Sequence, residues 1–292
     1  MEPGRRVVLI SPVRDEAETL QRTIDSVVAQ TVQPVRWLIV DDGSTDETAE
    51  IADRAAAEHD WIAVLRREDR GHRAIGGGVI ETFDAGLAQI DVPHDFIGKL
   101  DGDLEFGPHY LERALECFAQ DPRLAATSGK VFRWNGDRLE PEFSMVDESV
   151  AGCFKLYRRS AFDAIGGFVR AVMWDGIDFH RALQAGFRTR SLEDEALRIV
   201  HFRPMGSSDR GILRGRMRWG RGQYFMGSTP AYVLASGVFR MRERPYVLGG
   251  LCIILGFGVA ALRRDSRYDD PVFRTRLRAW QWQRLRSLLG LA

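Results

Sequence analysis

Phe96-Ile97-Gly98-Lys99-Leu100-Asp101-Gly102-Asp103-Leu104 is an apolar run that ends in two carboxylates one residue apart. The run reads as a buried strand, which places Asp101 and Asp103 at its C-terminal end, the edge at which open α/β sheets bind ligands. In an extended segment residues i and i+2 point the same way. Two convergent carboxylates repel each other, and a bound Mg²⁺ or Mn²⁺ relieves that repulsion. Taken alone, an acidic turn after a strand has the same sequence, so the surroundings have to decide. Gly102 is expected to let the backbone turn tightly and come close to a ligand.

Working outward, Val7-Val8-Leu9-Ile10 predicts a first strand ended by Ser11-Pro12, followed by a helix from about Glu16 to Ala29 with Leu20, Ile24, Val27 and Val28 on one face. Trp37-Leu38-Ile39-Val40 predicts a second strand. It leads into Asp41-Asp42-Gly43-Ser44-Thr45-Asp46-Glu47, where Ser44 and Glu47 have the spacing of a capping box for a helix reaching about Ala57. Ile62 to Leu65 reads as a third strand, and Val79, Phe83, Leu87 and Ile90 as the stripe of a third helix. This alternation predicts right-handed crossovers and an α/β fold with a mostly parallel sheet flanked by helices. Polar residues gather after each strand, at Ser11 to Glu16, Asp41 to Asp46 and Asp101 to Asp103. Their convergence on one crevice turns the acidic turn into a candidate site.

The 292 residues suffice for one large α/β domain with an appendage. Cys117, Cys153 and Cys252 are odd in number and widely spaced, against a disulfide framework or a cysteine zinc site, so a reducing cytosolic setting is expected. Arg5-Arg6 lead straight into a strand-like run, a pattern unlike an export signal. A net charge of zero conceals an asymmetry: residues 1–200 hold 24 Lys and Arg against 36 Asp and Glu, and residues 201–292 hold 17 against 5. The basic segment points to an anionic partner, or else to packing against the acidic body.

Two nucleotide-binding signatures are missing. No spaced glycines follow the first strand as a dinucleotide fingerprint requires, and Gly76-Gly77-Gly78 lies elsewhere without the spacing. A phosphate-cradling glycine loop ending in Lys-Ser or Lys-Thr is absent too. Phosphate is then left to metal and arginine.

With these blocks assembled, the chain resembles a family 2 glycosyltransferase, an inverting enzyme of the GT-A fold with a Rossmann-like sheet, over about residues 5–200. Val8-Leu9-Ile10-Ser11-Pro12-Val13-Arg14-Asp15-Glu16 is similar to the family's opening strand and loop, which implies Ser11, Pro12, Arg14 and Glu16 in nucleotide-sugar binding. Val40-Asp41-Asp42-Gly43-Ser44-Thr45-Asp46 is similar to the second block, implying that Asp42 holds the base of a uridine nucleotide. Leu100-Asp101-Gly102-Asp103 matches the Asp-x-Asp motif, implying Asp103 as the ligand of Mg²⁺ or Mn²⁺ with Asp101 in support. Arg158-Arg159-Ser160-Ala161-Phe162-Asp163-Ala164-Ile165-Gly166-Gly167-Phe168 resembles the stretch before the catalytic base.

The base block departs from the family's Glu-Asp-x-Asp. Here Trp174-Asp175-Gly176-Ile177-Asp178-Phe179-His180-Arg181 continues to Gly186, and counting back from Arg181 and Gly186 puts Asp175 at the base position, with Trp174 in place of the Glu. Asp178 is the alternative, and also suits a helix N-terminus. Arg73, in Arg70-Gly71-His72-Arg73, stands near the family's Ala-Arg-Asn without matching it; it is expected at the diphosphate, or exposed at a helix start. His201, in Ile199-Val200-His201-Phe202-Arg203-Pro204, is a candidate third metal or diphosphate contact, or a structural histidine.

Residues 1–205 are thus read as the nucleotide-sugar domain and 206–292 as a helical basic and apolar extension. Arg218-Trp219 is similar to part of the Gln-x-x-Arg-Trp signature of processive synthases, but Gly215 stands where Gln would be. Tyr246 to Leu262 is 17 residues free of charge, at the short limit for a membrane span. Arg274 to Leu291 mixes Leu277, Trp280, Trp282, Leu285, Leu288 and Leu289 with arginines, suited to an anionic membrane surface. The chain shows no nucleic-acid module and its body is acidic, which excludes nucleic acid as the partner.

The expected protein is a metal-dependent inverting glycosyltransferase, peripheral or monotopic at the cytoplasmic face of the membrane. It would move a sugar from a nucleotide-sugar donor, UDP-linked by preference, to a glycan or lipid-linked acceptor in polysaccharide or glycolipid synthesis. The alternative is a non-catalytic nucleotide-sugar-binding or scaffold subunit of an assembly complex.

Overall fold

The structure, a computed structural model, describes residues 4–142, 147–203 and 211–291. Residues 143–146 and the expected boundary at 205/206 lie outside the described residues. The chain divides into two compact units, Met1–Arg203 and Pro204–Ala292.

The first unit alternates β1 (Val7–Val13), α1 (Leu20–Val28), β2 (Arg36–Asp41), α2 (Thr48–Glu58), β3 (Ile62–Arg66), α3 (Gly77–Leu87) and β4 (Phe96–Leu100). It continues through β5 (Leu104–Phe106), α4 (Tyr110–Gln120), β6 (Leu124–Gly129), β7 (Val131–Asn135), β8 (Arg138–Pro141), β9 (Phe154–Arg158), α5 (Arg159–Ala164), α6 (Trp174–Gln184), β10 (Arg188–Leu192) and β11 (Ile199–His201). Seven strands form one sheet in the order β10-β6-β9-β4-β1-β2-β3. β4, β1, β2 and β3 run parallel, as do β10 and β6, while β9 is antiparallel to both β4 and β6. Strands covered on both faces read as continuous apolar runs, and Val7 to Ile10, Trp37 to Val40 and Phe96 to Leu100 are all buried. Strand order reverses between β1 and β4, so the crevice opens beyond their C-terminal ends.

Two expected details change. α1 starts at Leu20, because residues 16–19 form a turn in which the Glu16 N–H donates to Thr48 Oγ1 at 2.7 Å and the Thr19 hydroxyl donates to Gly102 O at 3.2 Å. The Ser44/Glu47 capping box does not form: the Ser44 hydroxyl donates to Asp41 Oδ1 at 2.5 Å and accepts from the Asp15 N–H at 3.0 Å, tying the loops after β1 and β2 together.

A second sheet, ordered β5-β11-β7-β8, sits on the strand that follows the two carboxylates. β11 runs antiparallel to β5 with His201 opposite Leu104, and the Phe202 N–H donates to Asp103 O at 3.0 Å. A segment about a hundred residues downstream is thereby laid beside Asp103.

The described residues of the second unit form four helices, α7 (Ile212–Met226), α8 (Pro230–Arg240), α9 (Leu248–Arg263) and α10 (Pro271–Leu288). The α8 and α10 starts are legible in sequence: Thr229 and Asp270 cap them through side-chain oxygens and proline follows each cap. Glycines let α9 approach its neighbours. A Cβ on Gly220 of α7 would lie 2.0 Å from Ile253 O, and one on Gly250 2.2 Å from Gly237 O of α8. No helix of the described residues is long and apolar enough to cross a membrane.

Candidate functional site

Asp103 is buried, at 4 % exposure, at the turn from β4 into β5. Its Oδ2 lies 3.3 Å from His201 Nε2 and accepts from Arg203 Nε at 3.0 Å. His201 Nδ1 in turn lies 2.9 Å from Glu142 Oε2. Burial alone would push the imidazole down, yet hydrogen bonds to Asp103 and Glu142 and their charge raise it to about 10. Burial would raise Asp103, but His201 and Arg203 hold it well below the usual carboxylate range.

Arg203 also donates to Glu16 Oε1, which accepts from Arg73 Nη1 at 2.8 Å. Burial first, and then the charge of Asp103, pushes Glu16 up against the opposing pull of Arg203 and Arg73. Arg73 donates as well to the backbone carbonyls of Arg14 and Asp15. Rather than pointing outward from a helix start, it clamps the loop after β1.

Asp42 Oδ1 accepts from Arg67 Nη1 at 2.9 Å and Arg70 Nη2 at 2.7 Å, and Glu81 holds both guanidinium groups from behind. Arg14, buried, donates to Asp42 O and to Asp69 Oδ1, each at 2.6 Å, while its Nε, also buried, has no hydrogen-bond partner. Ser11 is turned away from the crevice: it is fully buried and its Oγ accepts from Trp37 Nε1 at 2.9 Å. Pro12 lies within β1 opposite Val40. Gly102 is required by packing, since a Cβ there would lie 2.8 Å from Val13 Cγ1.

Two buried lysines tie β4 and β9 to the acids of the site. Lys99 of β4 and Lys155 of β9 are directly opposite each other, both nearly fully buried, and their ammonium groups lie 5.4 and 5.3 Å from the centre of the Trp174 ring. Lys99 Nζ donates to Asp101 and, at 2.9 Å, to Gly152 O. Desolvation raises Asp101, with Lys99 opposing and Asp103 adding to the rise. Lys155 Nζ donates to Asp178 Oδ2 at 2.8 Å and to Asp175 O at 3.2 Å, and the Tyr157 hydroxyl donates to Asp178 Oδ2 at 2.6 Å. Asp178 is 0 % exposed and fully engaged. Both lysines were visible as charges inside apolar strands, a pattern that requires a buried partner; what they hold was not legible.

Asp175 differs from every carboxylate above. It sits half-buried in the first turn of α6, against Gly152, and its side chain has no hydrogen-bond or ion-pair partner among the described residues. Trp174 beside it is packed on Phe168 at 4.8 Å between ring centres, continuing an aromatic cluster through Phe83 and Phe162. The Asp101 N–H donates to Cys153 O at 2.8 Å and Lys99 holds Gly152 O, so the Asp-Gly-Asp turn is tied to the residue next to the Gly152 against which Asp175 lies.

Among the described residues no group of three or more His, Cys, Asp and Glu side chains is placed to hold a metal. Asp103 and His201 nevertheless offer an adjacent oxygen and nitrogen, and Glu142 behind His201 is the outer partner that fixes a ligating imidazole. Two protein ligands suit a cation that fills its shell with substrate phosphates and water.

A mostly parallel sheet with its carboxylates gathered at the C-terminal ends of β1, β2 and β4, closed by a small second sheet, defines the GT-A glycosyltransferase fold. Residues 8–166 match the model of the family described as Glycosyl transferase family 2, and the chain belongs to that family. It is 28 % identical over 296 residues to a protein named glycosyltransferase AglD of Haloferax volcanii, covering 92 % of this chain and 43 % of that one. It is also 28 % identical over 145 residues to a poly-beta-1,6-N-acetyl-D-glucosamine synthase of Staphylococcus aureus, covering 48 % of this chain and 32 % of that one. The chain spans less than half the length of these curated relatives. Among solved structures, it superposes with a TM-score of 0.55 on the mannosyltransferase PcManGT of Pyrobaculum calidifontis in complex with GDP-Man and Mn²⁺, at 17 % identity and covering 98 % of this chain and 86 % of that one. It also matches S. aureus TarS 1-349 in complex with UDP at a TM-score of 0.53 and 15 % identity, covering 91 % and 93 %. These likenesses carry the fold.

Proposed function

We propose that the chain transfers a sugar, with inversion, from a nucleotide-sugar donor to a hydroxyl of a glycan or lipid-linked acceptor at the cytoplasmic face of a membrane. The observation that carries this reading is a contrast between carboxylates: cations saturate Asp42, Glu16 and Asp103, while Asp175 has no hydrogen-bond or ion-pair partner among the described residues. A carboxylate whose lone pairs are unspent can accept the acceptor's proton as the hydroxyl attacks the anomeric carbon. Attack from the face opposite the leaving group, with no enzyme nucleophile, inverts the centre.

In this reading Asp103 and His201, the ring giving up the proton that Asp103 and Glu142 hold on it, would bind Mg²⁺ or Mn²⁺ with Asp101 beside them, and the cation would supply positive charge to the departing diphosphate. Arg203 and Arg73, gathered on Glu16, lie where that charge grows and supply fixed positive charge to it. Asp42 takes the nucleobase, a uridine donor being preferred, and Arg14 holds the two loops that frame it. Lys99 and Lys155 orient Asp101 and the turn carrying Asp175. Asp178 is a positioning residue, since its carboxylate spends its hydrogen bonds on Lys155, Tyr157 and the Phe179 N–H.

The test is release of nucleoside diphosphate from a panel of UDP- and GDP-sugars with Mg²⁺ or Mn²⁺ and membranes present. Donor-specific, metal-dependent release that Asp175→Asn removes is expected. No release from any donor, with tight nucleotide-sugar binding retained, would leave the non-catalytic subunit as the better reading.

A further inference from the structure

The second unit presents an apolar face that its own packing leaves uncovered. α9 turns Gly249, Gly250, Ile253, Gly256 and Ala260 inward. On its outer side Leu248, Leu251, Leu255 and Leu262 are 55, 40, 58 and 87 % exposed, a single stripe at helical spacing. α8, whose Gly237 lies against Gly250, exposes Leu234 and Val238 by more than half, and the turn joining the two helices exposes Tyr246 and Val247. Soluble surfaces rarely carry so contiguous an apolar patch without a partner.

Exposed arginines close both ends of the stripe. Arg242 and Arg244 lie in the turn before α9, and Arg263, Arg264 and Arg267 at its end. Sixteen residues make a helix about 24 Å long, shorter than the ~30 Å hydrocarbon core of a bilayer. A leucine stripe bracketed by arginines on a helix too short to span is the composition of a helix lying in the plane of the lipid headgroups.

We infer that the outer face of α8 and α9 docks on an anionic phospholipid surface, Leu248, Leu251 and Leu255 entering the acyl boundary while the flanking arginines meet headgroup phosphates. This deepens the membrane-side part of the reading above and rests on it. A second copy of the chain is a poorer occupant, because two such faces would set arginine against arginine. A nucleic acid would satisfy the arginines and leave the leucines in water. On α10, the segment that composition favours, Phe273, Leu277 and Gln281 are buried within the unit and Trp280 packs on Tyr232 of α8, while Trp282, Leu288 and Leu289 stay exposed and make α10 the competing contact.

The test is co-sedimentation of the full chain, without donor, with phosphatidylcholine vesicles containing or lacking phosphatidylglycerol. Binding to the anionic vesicles is expected, lowered at least about tenfold by Leu251→Glu with Leu255→Glu and unchanged by Gln283→Glu on exposed α10 surface. Nucleoside diphosphate release on a soluble acceptor, measured on the same double variant, confirms an intact first unit and separates failure of the docking face from failure of the transferase reading. The inference is overturned if the wild-type chain ignores anionic vesicles, or if the double variant binds as wild type. It is equally overturned if Leu288→Glu alone removes binding, or if the double variant only abolishes a concentration-dependent dimer.

Discussion

The two walls of the crevice treat their carboxylates in opposite ways. On the wall built by the loops after β1, β2 and β4, each acid meets a cation: Asp42 meets Arg67 and Arg70, Glu16 meets Arg73 and Arg203, Asp101 meets Lys99, and Asp103 meets His201 and Arg203. On the wall built by α6, Asp178 is satisfied in the core and Asp175, three residues earlier, has no hydrogen-bond or ion-pair partner among the described residues. A carboxylate already bound to cations holds positive charge in place, which suits a diphosphate that becomes more anionic as it leaves. A bare carboxylate beside a packed indole is suited to taking a proton. The walls therefore divide the reaction between leaving group and nucleophile.

The largest expected effect breaks that division at its bare end. Asp175→Asn keeps shape and removes proton affinity, so kcat should fall by about 10²–10⁴ with donor KM near its wild-type value. The assay is steady-state nucleoside diphosphate release. A fall of less than a few-fold would remove Asp175 from the base role.

Next comes the support under it. Lys155→Met leaves the Asp178 carboxylate, 0 % exposed, without its cation, and should lower the stability of the first unit by about 3–5 kcal/mol, read as a drop in denaturant midpoint at unchanged slope. Replacing both partners, as Lys155→Met with Asp178→Leu, should recover part of the loss. No recovery would mean the lysine acts through something other than the pair.

On the paired wall, pH sharpens the comparison. His201 stands at about 10 when folded against about 6.5 unfolded, so its contribution is fully present below pH ~6.5 and is lost as pH rises through about 10. The first unit should lose stability across that window, and His201→Gln should flatten the loss, both followed by denaturant titration at several pH values. An unchanged slope in the variant would show that Asp103 and Glu142 do not hold the imidazolium.

Why one wall was legible and the other was not follows from chain distance. Asp42, Asp101 and Asp103 stand directly after apolar runs, so a strand reading places them, and the alternation of runs and stripes up to β4 gives the parallel half of the sheet. Arg67, Arg70, Glu142 and Arg203 reach the site through loops and through β11 pairing with β5, contacts that no local period encodes. The antiparallel β9 was equally hidden, although Lys155 in Phe154-Lys155-Leu156-Tyr157 carried a hint. The direction of the Ser11 hydroxyl was hidden for a simpler reason: strand alternation turns it to Trp37.

The smallest expected effect tests the departure at Trp174, which stands where the family pattern has an acid. An acid beside two buried ammonium groups needs no explanation, whereas an indole can only add its π face to the carboxylates of Asp101 and Asp178 that already pair them. The geometry gives it that role, since both Lys99 and Lys155 lie about one ring radius beyond van der Waals contact with it, at 5.4 and 5.3 Å from the ring centre. Such contacts are worth about 0.5–2 kcal/mol each. Trp174→Tyr, which keeps a π face, should leave kcat within a few-fold of wild type. Trp174→Leu, which keeps only apolar bulk, should lower kcat about tenfold further with little change in donor KM, because Asp175 and Asp101 lose their common support. Equal activity in the Tyr and Leu variants would make the indole mere packing on Phe168, and the two walls would then be coupled through Gly152 and Cys153 alone.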